Sequence, residues 1–124
     1  MIKKKPEVFI MYRVKRQIGL TKELQTAVLY AGRRNPAVGV AVLDTGVSPH
    51  PDLREQILVF RDFVNEQTGA YDDSGHGTHV AGIAGGTGIA SSGKYRGIAT
   101  QAHFIVIKIL DHLGNGNIDN VLQG

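Results

Sequence analysis

The sequence predicts an α/β fold with a doubly wound, mainly parallel sheet, and three observations predict it. Val38-Gly39-Val40-Ala41-Val42-Leu43 is apolar without alternation, as expected of a strand buried on both faces of a parallel sheet. Ile57 to Phe63 and Phe104 to Leu110 have the same strand character. Between those two lies a helical segment, Gly77 to Gly86, so that strand, helix and strand follow in the order of a βαβ unit.

The elements follow in order. Residues 1 to 19 form a basic leader in strand or coil. Thr21 can cap a short helix over Lys22 to Tyr30, with Leu24, Val28 and Leu29 on one face and Gly32 as its stop. Asn35-Pro36 then breaks the chain, dividing it into a leader unit, 1 to 36, and a second unit, 37 to 124. Asp44 ends the first strand of that unit, where open α/β sheets gather their ligands and catalytic groups. His76 stands at the N-terminal end of the Gly77 to Gly86 helix. There Gly77, Ala81, Gly82, Ala84, Gly85 and Gly86 leave room for neighbouring backbone. The positive end of the helix dipole is expected to disfavour an imidazolium and to keep His76 a free base. A further helix begins near Asn117, and the chain has no internal repeats.

Composition bounds the class. With 124 residues, 42% hydrophobic and 20% charged, the chain has the character of one globular domain rather than a disordered segment. Charge is uneven: residues 1 to 34 carry nine Lys/Arg against two acids, a net +7. Residues 35 to 124 carry five against nine, a net −4, which together make the overall +3. The basic arm lacks any nucleic-acid recognition motif, so no nucleic-acid partner is expected. Nothing approaches the roughly 18 apolar residues of a membrane span. Lys3, Lys4 and Lys5 precede an apolar run, Val8 to Tyr12, that is too short for a secretory signal, and there is no cysteine. The expected location is cytoplasmic, with secretion the alternative.

Two motifs carry chemistry. Asp44-Thr45-Gly46 is followed 32 residues after Asp44 by His76-Gly77-Thr78-His79-Val80-Ala81-Gly82. A serine-type triad needs a base that takes the proton of the attacking hydroxyl, and an acid that orients and stabilises that base. His76 and Asp44 suit those roles. The four serines, Ser48, Ser74, Ser91 and Ser92, lie in no turn that would present a nucleophile. His76 and His79 have H-x-x-H spacing, but zinc-protease helices use i and i+4 histidines with a Glu between, and His79 is expected to be structural, packed behind the site. Asp44-Thr45-Gly46 alone also suits a retroviral-type aspartic protease, in which two carboxylates share a proton across a dimer axis. That alternative leaves His76 unexplained. Asp72 and Asp73 are expected chiefly to form a polar turn before the histidine.

Asp44-Thr45-Gly46 with Pro51-Asp52-Leu53, then His76 to Gly82, Tyr95-Arg96-Gly97-Ile98-Ala99, Phe104 to Leu110 and Gly114-Asn115-Gly116 resemble the subtilisin-like serine proteases, or subtilases, in the family's order over residues 37 to 124. The resemblance implies a subtilisin-like fold, incomplete in this chain, that forms the N-terminal portion of a catalytic domain. It implies peptide hydrolysis by an Asp-His-Ser triad with Asp44 and His76 present and the nucleophile absent, so that the chain alone is inactive. A truncated or split product acting as a binding or folding module is the alternative. The resemblance also implies that Leu113, Gly114, Asn115 and Gly116 form an extended segment pairing with a peptide or protein substrate. Asp52 matches an aspartate that often ligates a structural calcium; no cofactor is required for catalysis, but this calcium is possible. The implied partner, besides substrate, is the missing C-terminal part of the catalytic domain. Asp72 to Gly75 before the histidine, with the lack of cysteine, resembles bacterial intracellular members.

Overall fold

Three apolar runs become three parallel strands: β1 (Gly39–Asp44), β2 (Ile57–Asp62) and β3 (His103–Lys108), in the order β1-β3-β2. The computed structural model describes residues 13–31 and 38–124. It divides into two compact units, Met1–Pro36 and Ala37–Gly124.

In the first unit, residues 13–17 are helical, where a strand or coil was expected. The cause is a glycine stop. Gly19 adopts φ +75°, its N–H bonds to the carbonyl of Arg16 and that of Leu20 to Lys15, which satisfies the last carbonyls of the turn. Helix α1 (Lys22–Ala31) follows, capped by the Thr21 hydroxyl, which accepts from the N–H of Leu24 at 3.1 Å. Leu24 on its expected apolar face is half exposed, while Gln25 is buried. The side chains of Val28 and Leu29 on that face, the Gly32 stop, the Asn35-Pro36 break and residues 1 to 12 lie outside what the structure describes.

In the second unit, helix α2 (His76–Gly85) makes the crossover from β2 to β3. It covers one face of the sheet. The core there joins Val42 of β1, Phe104 and Val106 of β3 and Ala81 of α2 with Val47 and Leu53, and Val40, Ile57, Phe60 and Ala84 pack around it. Gly85 is needed for this contact: a Cβ there would meet the carbonyl oxygen of Ala99 at 2.7 Å and the ring of Phe104 at 3.0 Å. At Gly82 there is open space, so close packing does not account for that glycine. Buried Gln56 ties the far end of α2 to the approach of β3, with its amide nitrogen 2.8 Å from the Gly85 carbonyl and 2.9 Å from that of Ala102.

The opposite face corrects the expectation that β1 is buried on both sides. Its residues alternate, with Val42 and Asp44 buried and Ala41 and Leu43 exposed, because no described element of this unit covers Leu43, Ile105 and Val59, which share that face through the strand register. The third strand also ends two residues earlier than expected. After Lys108 the chain turns, and the N–H groups of Ile109 and Leu110 both donate to the carbonyl of Asp44, at 3.0 and 3.2 Å. Helix α3 (Ile118–Gln123) starts as expected, its Asn117 side chain accepting from the N–H of Asn120 at 2.8 Å. Among the described residues, no helix is long and apolar enough to cross a membrane.

Candidate active site

The site stands beyond the carboxyl ends of the strands, where β1 stops and α2 starts. Asp44 is the last residue of β1 and is 8% exposed; His76 is the first residue of α2, and its side chain is largely open to solvent. The Nδ1 of His76 lies 2.8 Å from one carboxylate oxygen of Asp44 and 3.0 Å from the other. A carboxylate only accepts, so the proton sits on Nδ1, and Nε2 keeps a lone pair directed away from the acid. The N–H of Thr45 donates to the same Asp44 oxygen as His76 Nδ1, at 2.7 Å, and fixes the carboxylate's rotation.

This pair reverses the expected effect of the helix dipole. The hydrogen bond that His76 donates to Asp44, and then the charge of Asp44, raise the His76 imidazole above its ordinary 6.5, with a smaller contribution in the same direction from Asp72. A neighbouring carboxylate in contact outweighs the partial charge of a helix end.

The two elements meet closely because neither carries bulk at the junction. A Cβ on Gly77 would collide with the Gly46 carbonyl and come within 3.2 Å of the Asp44 carboxylate. A Cβ on Gly46, whose φ is +112°, would collide with the carbonyl of Tyr71.

Asp72 does more than the turn expected of it. One of its oxygens accepts the Thr45 hydroxyl at 2.9 Å and the N–H groups of Ser74 and Gly75 at 3.1 and 2.9 Å. The other accepts the N–H and hydroxyl of Thr78 at 2.9 and 2.5 Å. Burial alone would push its pKa up, but the Thr78 hydroxyl and these amides carry it down to about 2. The clip is reciprocal: the Thr45 oxygen accepts the N–H of Gly77 at 3.0 Å, and that of Thr78 accepts the N–H of Ser48 at 2.9 Å. The start of α2 is thereby fastened to the loop after β1. The sequence held a signal, two threonines inside the two motifs, but the long-range partner of Asp72 is 27 residues away.

Lys108 was missed altogether. It is fully buried at the end of β3, and its ammonium donates to the carbonyls of Thr45 and Leu110 and to the carboxylate of Asp73.

Two expectations are corrected. His79 is exposed on α2 rather than packed behind the site, because the helix surface it shares with Val80 and Ile83 is uncovered. Leu113 and Gly114 belong to a turn rather than an extended segment. One Asp111 carboxylate oxygen accepts the N–H groups of Leu113 and Asn115, each at 2.9 Å, and the Asp111 carbonyl accepts that of Gly114, also at 2.9 Å. Those three amides are committed within the loop; Gly116, where a Cβ would press on the Ile109 carbonyl, follows it. Asp52 is tied to the turn that follows α2. The carboxylate accepts the N–H of Ala90 at 2.7 Å, and the Asp52 carbonyl accepts the N–H of Thr87 at 3.0 Å, so the turn over 85–94 closes on Asp52 through amides. That turn contains no carboxylate or carboxamide, and no three His, Asp or Glu side chains converge among the described residues.

The model of the subtilase family matches residues 35–124. The chain is 49% identical over 87 residues to serine protease AprX of Bacillus subtilis, covering 70% of this chain and 20% of that protein. It is 37% identical over 106 residues to an intracellular serine protease of Paenibacillus polymyxa, covering 82% of this chain and 32% of that one. Among solved structures, Sphericase superposes with a TM-score of 0.59 at 34% identity, covering 70% of this chain and 30% of that one, and a cold-adapted subtilisin-like serine proteinase with 0.59 at 30%, covering 69% and 29%. The chain thus spans about a fifth to a third of the curated relatives named here. With a strand-end aspartate held to a helix-start histidine on a parallel sheet, and a family match over nearly three quarters of its length, the chain belongs to the subtilase family.

Proposed function

We propose that the chain carries the acid and base of a serine-type endopeptidase. Asp44 orients the imidazole, and His76 acts first as general base and then as general acid, while the nucleophilic serine and the oxyanion donors come from polypeptide outside these residues. The observation that carries the reading is the 2.8 Å contact between Asp44 and His76 Nδ1, which leaves Nε2 to accept a proton from an attacking hydroxyl. Among the described residues, no serine hydroxyl meets that nitrogen; Ser91 donates to the carbonyl of Gly88 instead. The substrate class is peptide or protein. The chain alone is inactive, because without the nucleophile and oxyanion hole the remaining pair has no acyl-enzyme to form.

The exposed apolar face of the sheet, with Leu43, Val59 and Ile105, supports completion by further polypeptide rather than a free-standing enzyme. One relative bears the name intracellular serine protease, and the chain has no cysteine; both support a cytoplasmic site for the parent. Recovery of the parent from culture medium would contradict that location.

The test is casein hydrolysis by the purified 124-residue chain, together with labelling by a serine-directed fluorophosphonate read as intact mass. The expected result is no turnover and no adduct. Turnover that requires His76 would reveal a nucleophile among these residues, and turnover that survives His76→Ala would remove His76 from the mechanism.

A further inference from the structure

A fully buried lysine is costly unless its charge is paired and its three protons are all accepted. Lys108 meets that condition at the mouth of the site. Its Nζ lies 2.7 Å from the carbonyl oxygen of Thr45, 2.8 Å from that of Leu110 and 2.7 Å from the carboxylate of Asp73, and 5.3 Å from the centre of the Tyr71 ring. These partners come from different parts of the chain. Thr45 follows Asp44 directly, Asp73 precedes His76 by three residues, and Lys108 itself is register partner to Asp44 on the β1–β3 ladder.

We infer that Lys108 is a positioning residue for the Asp44–His76 pair, its ammonium pinning the loop that leaves Asp44 and the loop that arrives at His76 to the end of the central strand. The inference rests on the proposed roles of Asp44 and His76. The Asp72 clip fastens α2 to the same loop through the hydroxyl of Thr45 rather than its carbonyl. Two independent tethers, one anionic and one cationic, then hold one junction.

A purely electrostatic role for Lys108 makes the opposite prediction, which allows a test. The charged groups acting on His76 are Asp44, in contact, and Asp72 at longer range. Removing a nearby positive charge would favour the imidazolium and raise the His76 midpoint. Loosening the Asp44 contact would lower it.

The measurement is hydrogen–deuterium exchange at the imidazole Cε1, read residue by residue by mass spectrometry across pH in the full chain. Lys108→Met is expected to lower the His76 midpoint by more than half of its wild-type elevation above 6.5, with far-UV circular dichroism retained. An unchanged or raised midpoint in folded Lys108→Met overturns the inference. Should Lys108→Met fail to fold, Asp73→Asn decides, because the Asp73 side chain is one-third exposed and its charge is not among those acting on His76. A lowered midpoint in Asp73→Asn supports the inference, and an unchanged one overturns it. Asp44→Asn separates the underlying reading: if it leaves the His76 midpoint in place, the dyad itself fails, whatever Lys108 does.

Discussion

Asp44 and Lys108 are partners on the last rung of the β1–β3 ladder, so the carboxylate that holds His76 and the ammonium that holds the loop before His76 leave the sheet at one level. Asp62 of β2 completes the same rung. The ends of three parallel strands therefore present three charged side chains, and the chain segments that carry the candidate dyad are fastened there.

The Asp72 clip predicts an acid-sensitive junction. Its carboxyl falls from an ordinary 3.8 to about 2 in the folded chain, so its contribution is fully present above pH 3.8 and is lost as pH drops from there towards 2. Asp72→Asn, which keeps the shape and loses the charge, should destabilise the chain by about 2 kcal/mol near neutrality. It should also flatten the stability profile below pH 4. Urea unfolding at pH 7, 4 and 3 checks both.

Two glycines of α2 should respond oppositely to a methyl group. Gly77→Ala drives a Cβ into the Gly46 carbonyl and should cost about 2 kcal/mol or more. Gly82→Ala meets open space inside a helix and should gain up to about 1 kcal/mol. Thermal unfolding of the two variants side by side gives the comparison.

Closure of the 85–94 turn on Asp52 through the amides of Thr87 and Ala90 predicts stability independent of calcium. The melting temperature should be the same in excess EGTA and in excess calcium, since a ligand that does not bind the folded state contributes nothing to it. A rise that saturates with calcium would contradict the assignment of those amides as the permanent partners of Asp52.

The uncovered sheet face predicts association. Leu43, Val59 and Ile105 share it, at 39%, 43% and 36% exposure, and together form an apolar patch of the kind that drives self-association. Leu43→Lys should reduce binding of a dye that fluoresces on exposed apolar surface and shift sedimentation towards monomer, with no loss of the helical signal.

The strands and the dyad were legible because each rests on local pattern: an apolar run, a helix start, and two short motifs. What escaped depends on partners distant in sequence. Lys108 sits in an apolar run, yet its Thr45 partner is 63 residues away, so nothing near it announces a buried ammonium. Asp72 looked like a turn residue because its Ser74 and Gly75 contacts are local, whereas Thr45 is not. Burial of β1 on both faces was read from an apolar run without alternation, but such a run records only that both faces are apolar and not whether this chain brings anything to cover them. Helix at residues 13–17 had a local signal in Gly19, passed over beside the charge pattern of the leader.

The central claim, that Asp44 holds His76 as a base through Nδ1, is tested most directly by the His76 titration in the wild type and in Asp44→Asn. His76 protonation stabilises the fold fully below about pH 6.5, and that contribution is lost as pH rises through the elevated folded value. Residue-resolved exchange at the imidazole Cε1 should place the wild-type His76 midpoint above 6.5 and lower it in Asp44→Asn. A wild-type midpoint at or below 6.5, or one that Asp44→Asn leaves in place, would contradict the account.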